Sequence, residues 1–285
     1  MIKKVNGGIY LHQTDLIKKI EEKYGEELNN VREYKTPATP GQGTVRTTEE
    51  DECIDDKEQY RYRSAVGMML YLVKYSRPDI ANAVRELSKV NSKANYAHYK
   101  QMLRAIKYVL HTRNRMLKFI PENNGEKWEF KCMCDSDYAG DKDNRLSVTG
   151  YCIYVNGCLI SWKSRAQRSH TLSSTEAEYV ALSEICTEIL FVRMIMEFLG
   201  QPVEYPIKVY CDNVGAIYLA YNEKISRRTK HVDTRTHFVR RYVEEGTIKI
   251  VFVRSEENDS DIFTKNTSES TYNKHTEKFM IQNSS

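Results

Sequence analysis

From residue 128 onward the apolar positions switch between two periods, and the switching outlines an α/β unit. Residues 128–134, 150–155 and 158–162 alternate with period two and read as strands. Asn156-Gly157 between the last two is a strong hairpin signal, so these three strands form an antiparallel meander. A helix capped by Ser173 or Ser174 runs to Phe198 and is closed by Gly200. Strand 207–211, helix 214–221, helix 229–245 ended by Gly246, strand 247–253 and a short last helix 261–265 complete the pattern. That order predicts a five-stranded mixed sheet with flanking helices.

Upstream the period is mostly 3.6. Residues 8–11 read as a short strand, followed by a helix over 15–24 capped by Thr14, with Leu16, Ile17 and Ile20 on one face and Gly25 at its end. Residues 61–75, 78–90 and 99–111 are spaced as three more helices, so 61–125 is expected to be helical throughout. Between them, prolines, glycines and the acids Glu49, Glu50, Asp51 and Glu52 mark 36–60 as an exposed, mobile acidic linker. The polar stretch 267–285 reads as a loose tail, which leaves segments 1–35, 61–125 and 126–266 as folded parts.

Composition narrows the classes. With 285 residues, 40% of them hydrophobic, the chain suits two folded units rather than one and is not disordered as a whole. No apolar run nears the roughly 20 residues of a membrane span, and the N-terminus lacks the apolar core of a secretion signal, so an intracellular location is expected. Seven cysteines without any C-x-x-C pair fit buried reduced thiols better than zinc ligands or a disulfide framework. The net charge of +4 is uneven: residues 1–60 hold 9 basic against 13 acidic residues, leaving 34 against 26 for the rest. The later part therefore suits a polyanion.

Two strands end in the same pair, Cys134-Asp135 and Cys211-Asp212. If these strands are parallel neighbours, both carboxylates gather at one edge of the sheet, and like charges that close call for a cation. An aspartate that merely starts a turn is the bland alternative for either one alone. Ala177, Glu178, Ala181, Leu182, Ile185 and Ile189 share one stripe of the long helix, which turns Glu178 toward the sheet, whereas Glu176 faces solvent. Asp261 falls in the first turn of the last helix if Ser260 is the cap, where a plain capping acid is the alternative. An all-oxygen set of Asp135, Glu178, Asp212 and Asp261 suits Mg²⁺ or Mn²⁺, and two such ions can clamp the attacking and leaving oxygens of a phosphodiester.

The segments 134–140 (Cys-Asp-Ser-Asp-Tyr-Ala-Gly), 173–182 (Ser-Ser-Thr-Glu-Ala-Glu-Tyr-Val-Ala-Leu), 210–213 (Tyr-Cys-Asp-Asn), 229–233 (Thr-Lys-His-Val-Asp) and 261–265 (Asp-Ile-Phe-Thr-Lys) together resemble, in order, the ribonuclease H domain of Ty1/copia-type retrotransposon Pol polyproteins. Residues 62–67 and 76–80 resemble the stretch joining the polymerase to that domain, so the resemblance covers the chain from Gly8 to Lys265. It implies a ribonuclease H-like fold preceded by a mainly helical reverse-transcriptase remnant, thumb-like over 1–35 and connecting over 61–125. It also implies cleavage of the RNA strand of an RNA–DNA hybrid with Mg²⁺ or Mn²⁺, two ions, and an upstream polymerase domain as partner. The family's carboxylates fall on Asp135, Glu178, Asp212 and Asp261.

The chain departs from the family in three places. No Tyr-x-Asp-Asp polymerase motif is present, so no polymerase activity is expected. Asn266-Thr267 stands where the family continues with proline and leucine, which puts the last helix in question. The 254–260 segment lacks the histidine some ribonucleases H carry there. Arg227, Arg228, Lys230 and Arg235 form a basic stretch suited to tracking phosphates, with a solvated helix face as the alternative; Lys163 and Arg165 are further backbone contacts or simply a basic turn. Other functional classes remain: an inactive or domesticated remnant that binds nucleic acid or a polyprotein partner without cleavage, and a related nuclease or transposase of the same fold.

Overall fold

A computed structural model describes residues 1–5, 7–122, 127–222 and 233–282. The chain divides into two compact units, one formed by 1–119 with 265–285, the other by 120–264. No described helix is long and apolar enough to cross a membrane.

The first unit opens with a hairpin of β1 (Ile2–Val5) and β2 (Gly8–Leu11), then α1 (Thr14–Tyr24). Gln13 rather than Thr14 precedes the first turn of α1, and the Thr14 hydroxyl lies 2.7 Å from His12 Nδ1. Helix α2 (Asp56–Tyr75) starts earlier than its apolar spacing suggests because Asp55 caps it, its carboxylate accepting from the Glu58 amide at 2.7 Å. A turn of 3₁₀ helix at Pro78–Ile80 leads into α3 (Ala81–Ser88). Helix α4 (Tyr96–His111) begins with a reciprocal cap: the His98 amide donates to Asn95 Oδ1 and the Asn95 amide to His98 Nδ1. These helices bury Ile20, Tyr62, Met69, Leu72, Val84, Met102 and Ile106.

Two expectations for this part are corrected. The 36–60 segment has no regular structure before Asp56 but is pinned: Thr36, Thr44 and Ile54 are buried, and Arg104 donates to Thr36 Oγ1 and to the Ala38 carbonyl. Segment 61–125 is not wholly helical, because β3 (Arg115–Phe119) follows α4 and pairs with β2. Alternation over Arg115–Phe119 is too short to stand out beside a helical run.

The second unit carries β4 (Phe130–Asp137), β5 (Val148–Val155), β6 (Cys158–Ala166), α5 (Ser174–Phe198), β7 (Ile207–Cys211), α6 (Val214–Tyr221), α7 (Asp233–Glu244), β8 (Ile248–Phe252) and α8 (Asp261–Thr264). Its sheet is five-stranded and mixed, in the order β6-β5-β4-β7-β8, with β4–β5 and β5–β6 antiparallel and β4–β7 and β7–β8 parallel. Asn156 and Gly157 both take positive φ, 46° and 78°, as the hairpin signal requires. Helix α5 packs on β4 and β5 through Ala181, Leu182, Ile185 and Ile189, with Ser173 as its cap. The first four residues of the helix expected over 229–245 lie outside the described residues.

The final segment folds, contrary to a loose tail: α9 (Glu269–Thr276) and β9 (Met280–Gln282) belong to the first unit, and β9 completes a sheet of order β1-β2-β3-β9. Asn266, at the departure from the family pattern, is tied to this unit. Its carbonyl accepts from the Gly41 amide at 2.8 Å, and its side chain joins Asn82 and the Gln42 carbonyl. The Tyr272 hydroxyl reaches the Asp79 carbonyl and the Tyr108 hydroxyl, both at 2.9 Å. Beneath it the fully buried Arg77 grips Asp79 with two hydrogen bonds of 2.9 Å. Burial alone would push the Asp79 carboxyl up, but the Arg77 guanidinium holds it below its ordinary value.

Candidate metal centre

The parallel pairing of β4 and β7 puts Met133 opposite Tyr210, so Asp135 and Asp212 come abreast two residues further along. Asp135 is buried within β4, and the half-buried Asp212 follows the last residue of β7. Asn213 then caps α6 through the Ala216 amide. Glu178 enters from the second turn of α5, only 5% exposed. Its Oε1 accepts from both the amide and the hydroxyl of Ser136, each at 2.8 Å, and the Cys211 thiol lies 3.9 Å from its Oε2. Carboxylate oxygens of Glu178 and Asp212 and the sulfur of Cys211 lie within 4.8 Å of one another.

Burial pushes the Glu178 carboxyl up to about 10, aided by the nearby Asp135, Cys211 and Asp212 and opposed by the Ser136 hydrogen bonds. The donor set thus fits a divalent cation. It offers carboxylate oxygens on rigid elements in a charge environment that penalises the ionised Glu178 until a positive charge arrives.

Hydroxyl groups from other elements orient the carboxylates. Ser255, in a 3₁₀ turn after β8, donates to Asp212 Oδ2 at 2.6 Å. Thr264 donates to Asp135 Oδ2 and lies 3.0 Å from the Asp261 carbonyl. Helix α8 can approach because β5 carries glycine opposite Asp135. A Cβ at Gly150 would stand 2.6 Å from Thr264 Cγ2, 2.9 Å from the Ser260 carbonyl oxygen and 3.0 Å from Phe263 Cβ. Neither Gly150 nor Thr264 is legible as a site residue from the sequence, because their roles arise from the approach of a distant helix.

Asp261 is buried in the first turn of α8, and its carboxylate, like that of Asp135, lies outside the tight cluster of Glu178, Cys211 and Asp212. The Ser260 amide donates to Asn258 Oδ1, whose side chain also donates to the Cys134 carbonyl. Glu176 is structural: its Oε2 accepts from the Leu172 amide at 2.7 Å, while its own amide donates to the Ser173 hydroxyl.

Of the basic residues, Lys163 and Arg165 sit on the edge strand β6 and meet Glu184 of α5, at 3.9 and 3.0 Å. Arg235 lies half-buried in α7. Arg227, Arg228 and Lys230 fall outside the described residues.

No protein-family profile matches the chain. It is 33% identical over 263 residues to the retrovirus-related Pol polyprotein from transposon TNT 1-94 of Nicotiana tabacum, which covers 90% of this chain and 19% of that protein. It is 34% identical over 220 residues to the corresponding polyprotein from transposon RE1 of Arabidopsis thaliana, 77% of this chain and 15% of that protein. A secreted RxLR effector protein of Plasmopara viticola is 38% identical over 131 residues, 46% of this chain and 90% of the effector. The chain thus spans less than a fifth of the length of the polyproteins it matches. With a third of its residues identical to theirs over most of its own length, the chain belongs to the retrovirus-related Pol polyproteins of copia-type transposons.

Proposed function

We propose that the second unit is a ribonuclease H-like domain, a metal-dependent endonuclease that hydrolyses the RNA strand of RNA–DNA hybrids during retrotransposon reverse transcription. The observation that carries this reading is the close approach of Glu178 and Asp212 at the edge of two parallel strands, with Asp135 near enough to push the Glu178 carboxyl up. The five-stranded mixed sheet and the Pol polyprotein relatives support it. In this reading the first unit derives from the end of the reverse transcriptase, and the upstream polymerase domain is a natural partner.

Asp135, Glu178 and Asp212 would hold Mg²⁺ or Mn²⁺, with Asp261 at the rim. Such ions, when bound, would provide the charge that activates water and offsets the negative phosphate. The protein's share is orientation. Ser136 fixes one oxygen of Glu178 and leaves the other beside the Cys211 thiol, while Ser255 and Thr264 hold Asp212 and Asp135 in place. Hydrogen bonds that hold donors before the ion arrives reduce the reorganisation that binding requires. Arg235, Arg227, Arg228 and Lys230 would bind the hybrid backbone, with Lys163 and Arg165 contributing if the hybrid draws them from Glu184.

The test is cleavage of an end-labelled RNA–DNA hybrid by the full chain with Mg²⁺, Mn²⁺ or chelator. Ion-dependent cuts in the RNA strand are expected. A folded chain that binds the hybrid but never cuts it with either ion would instead identify a non-cleaving remnant.

A further inference from the structure

Beside the carboxylates stands a donor of a different chemical class. The Cys211 sulfur lies 3.9 Å from Glu178 Oε2 and within 4.8 Å of an Asp212 oxygen. Its neighbour across the parallel strands, Cys134, donates its thiol to the Tyr210 carbonyl at 3.7 Å and is not part of this cluster. Cys132 and Cys186 are packed into the apolar core, the usual place for a structural thiol. Cys211 shares that core but also touches a carboxylate.

Mg²⁺ takes oxygen ligands and would leave a thiol as a neutral bystander, whereas Zn²⁺ and Cd²⁺ favour thiolate. Sulfur at about 2.3 Å and oxygen at about 2.0 Å from one tetrahedral ion stand roughly 3.5 Å apart. The observed 3.9 Å between Cys211 Sγ and Glu178 Oε2 is close to that separation.

We propose that Cys211, Glu178 and Asp212 form a soft-metal site that takes Zn²⁺ or Cd²⁺ in place of the hard ion. The Cys211 S–H bond breaks as the sulfur–metal bond forms, and the proton passes to water. The proposal rests on the metal centre of the nuclease reading, at which the soft ion displaces the hard one and inhibits.

The experiment is a Cd²⁺ titration of the full chain, read by the ultraviolet thiolate-to-cadmium absorption band. One equivalent is expected to saturate the band, and excess Mg²⁺ to raise the apparent Kd for Cd²⁺. Cys211→Ser should remove the band and weaken Cd²⁺ binding more than about tenfold, the lower end of what loss of even a supporting partner costs a metal site. Asp212→Asn should weaken binding by a similar factor, while Cys53→Ser, in the other unit, should change neither readout. A band that survives in Cys211→Ser overturns the proposal, as does Cd²⁺ binding indifferent to Mg²⁺. If Cys211→Ser does not fold, Cys211→Ala and the Mg²⁺ competition on the unaltered chain decide the matter. Failure of the nuclease reading shows separately, as no hybrid cleavage with Mg²⁺ alone.

Discussion

Glu178 concentrates the physics of the centre in one side chain. Without metal its carboxyl keeps a proton up to about pH 10, far above its ionisation range in an unfolded chain, so the folded state binds the extra proton between those limits. The stability this group contributes is therefore complete only below the ordinary carboxylate range and is lost progressively as pH rises from there toward 10. In chelator, urea unfolding of the protein should show stability falling from pH 5 to pH 8 relative to Glu178→Gln, which mimics the protonated acid. A pH-independent difference would contradict the burial of Glu178 beside other acidic groups. Asp212→Asn should abolish hybrid cleavage yet leave the metal-free fold as stable as before or more so, because it removes a like charge. Gly150→Ala should cost about 1–3 kcal/mol, measured by the same melts, since its methyl would press on α8. Glu178 was legible from its place on the core stripe of α5. Gly150, Thr264 and Ser255 were not, because each matters through a partner far away in the chain.

At the scale of elements, period and capping residues located most helices and strands, and the errors have physical causes. Helix α2 gained a turn from the Asp55 cap, and α4 from the Asn95–His98 pair, where apolar spacing had not yet begun. The final segment is the larger miss. Polar composition suggested a loose tail, yet a few apolar positions suffice: Tyr272, Phe279 and Met280 are buried, and β9 supplies ladder partners to β3. Deleting 266–285 should therefore make residues 1–119 markedly more sensitive to protease, a difference readable on a gel. Tyr272→Phe, which removes only the hydroxyl held by Asp79 and Tyr108, should cost about 1 kcal/mol in chemical denaturation. An unchanged digestion rate in the truncated chain would mean that the segment merely rests on the unit.

At the scale of the whole molecule, the basic excess beyond residue 60 is the feature that should govern association with a polyanion. If Arg227, Arg228, Lys230 and Arg235 contact phosphates, their joint replacement by alanine should weaken hybrid binding without regard to base sequence. It should also make the salt dependence shallower, by about 0.9 per lost contact on the B-form scale. A slope equal to that of the unaltered chain would assign these residues to the solvated surface.

The sequence by itself determined what is local or periodic: the α/β character of the second unit, the meander with its Asn156-Gly157 turn, the stripe of α5, and the ordered motifs that carry the family resemblance. The first three follow from backbone preferences and burial patterns that neighbouring residues express together, and the motifs from residue identity alone. The tertiary structure alone decided that residues 265–282 return to the first unit, that the acidic segment is pinned, and that Thr264 and Ser255 hold the aspartates. It alone placed Cys211 beside Glu178. Such contacts join residues far apart in the chain, and periodicity carries no information about which distant element will arrive opposite a given side chain.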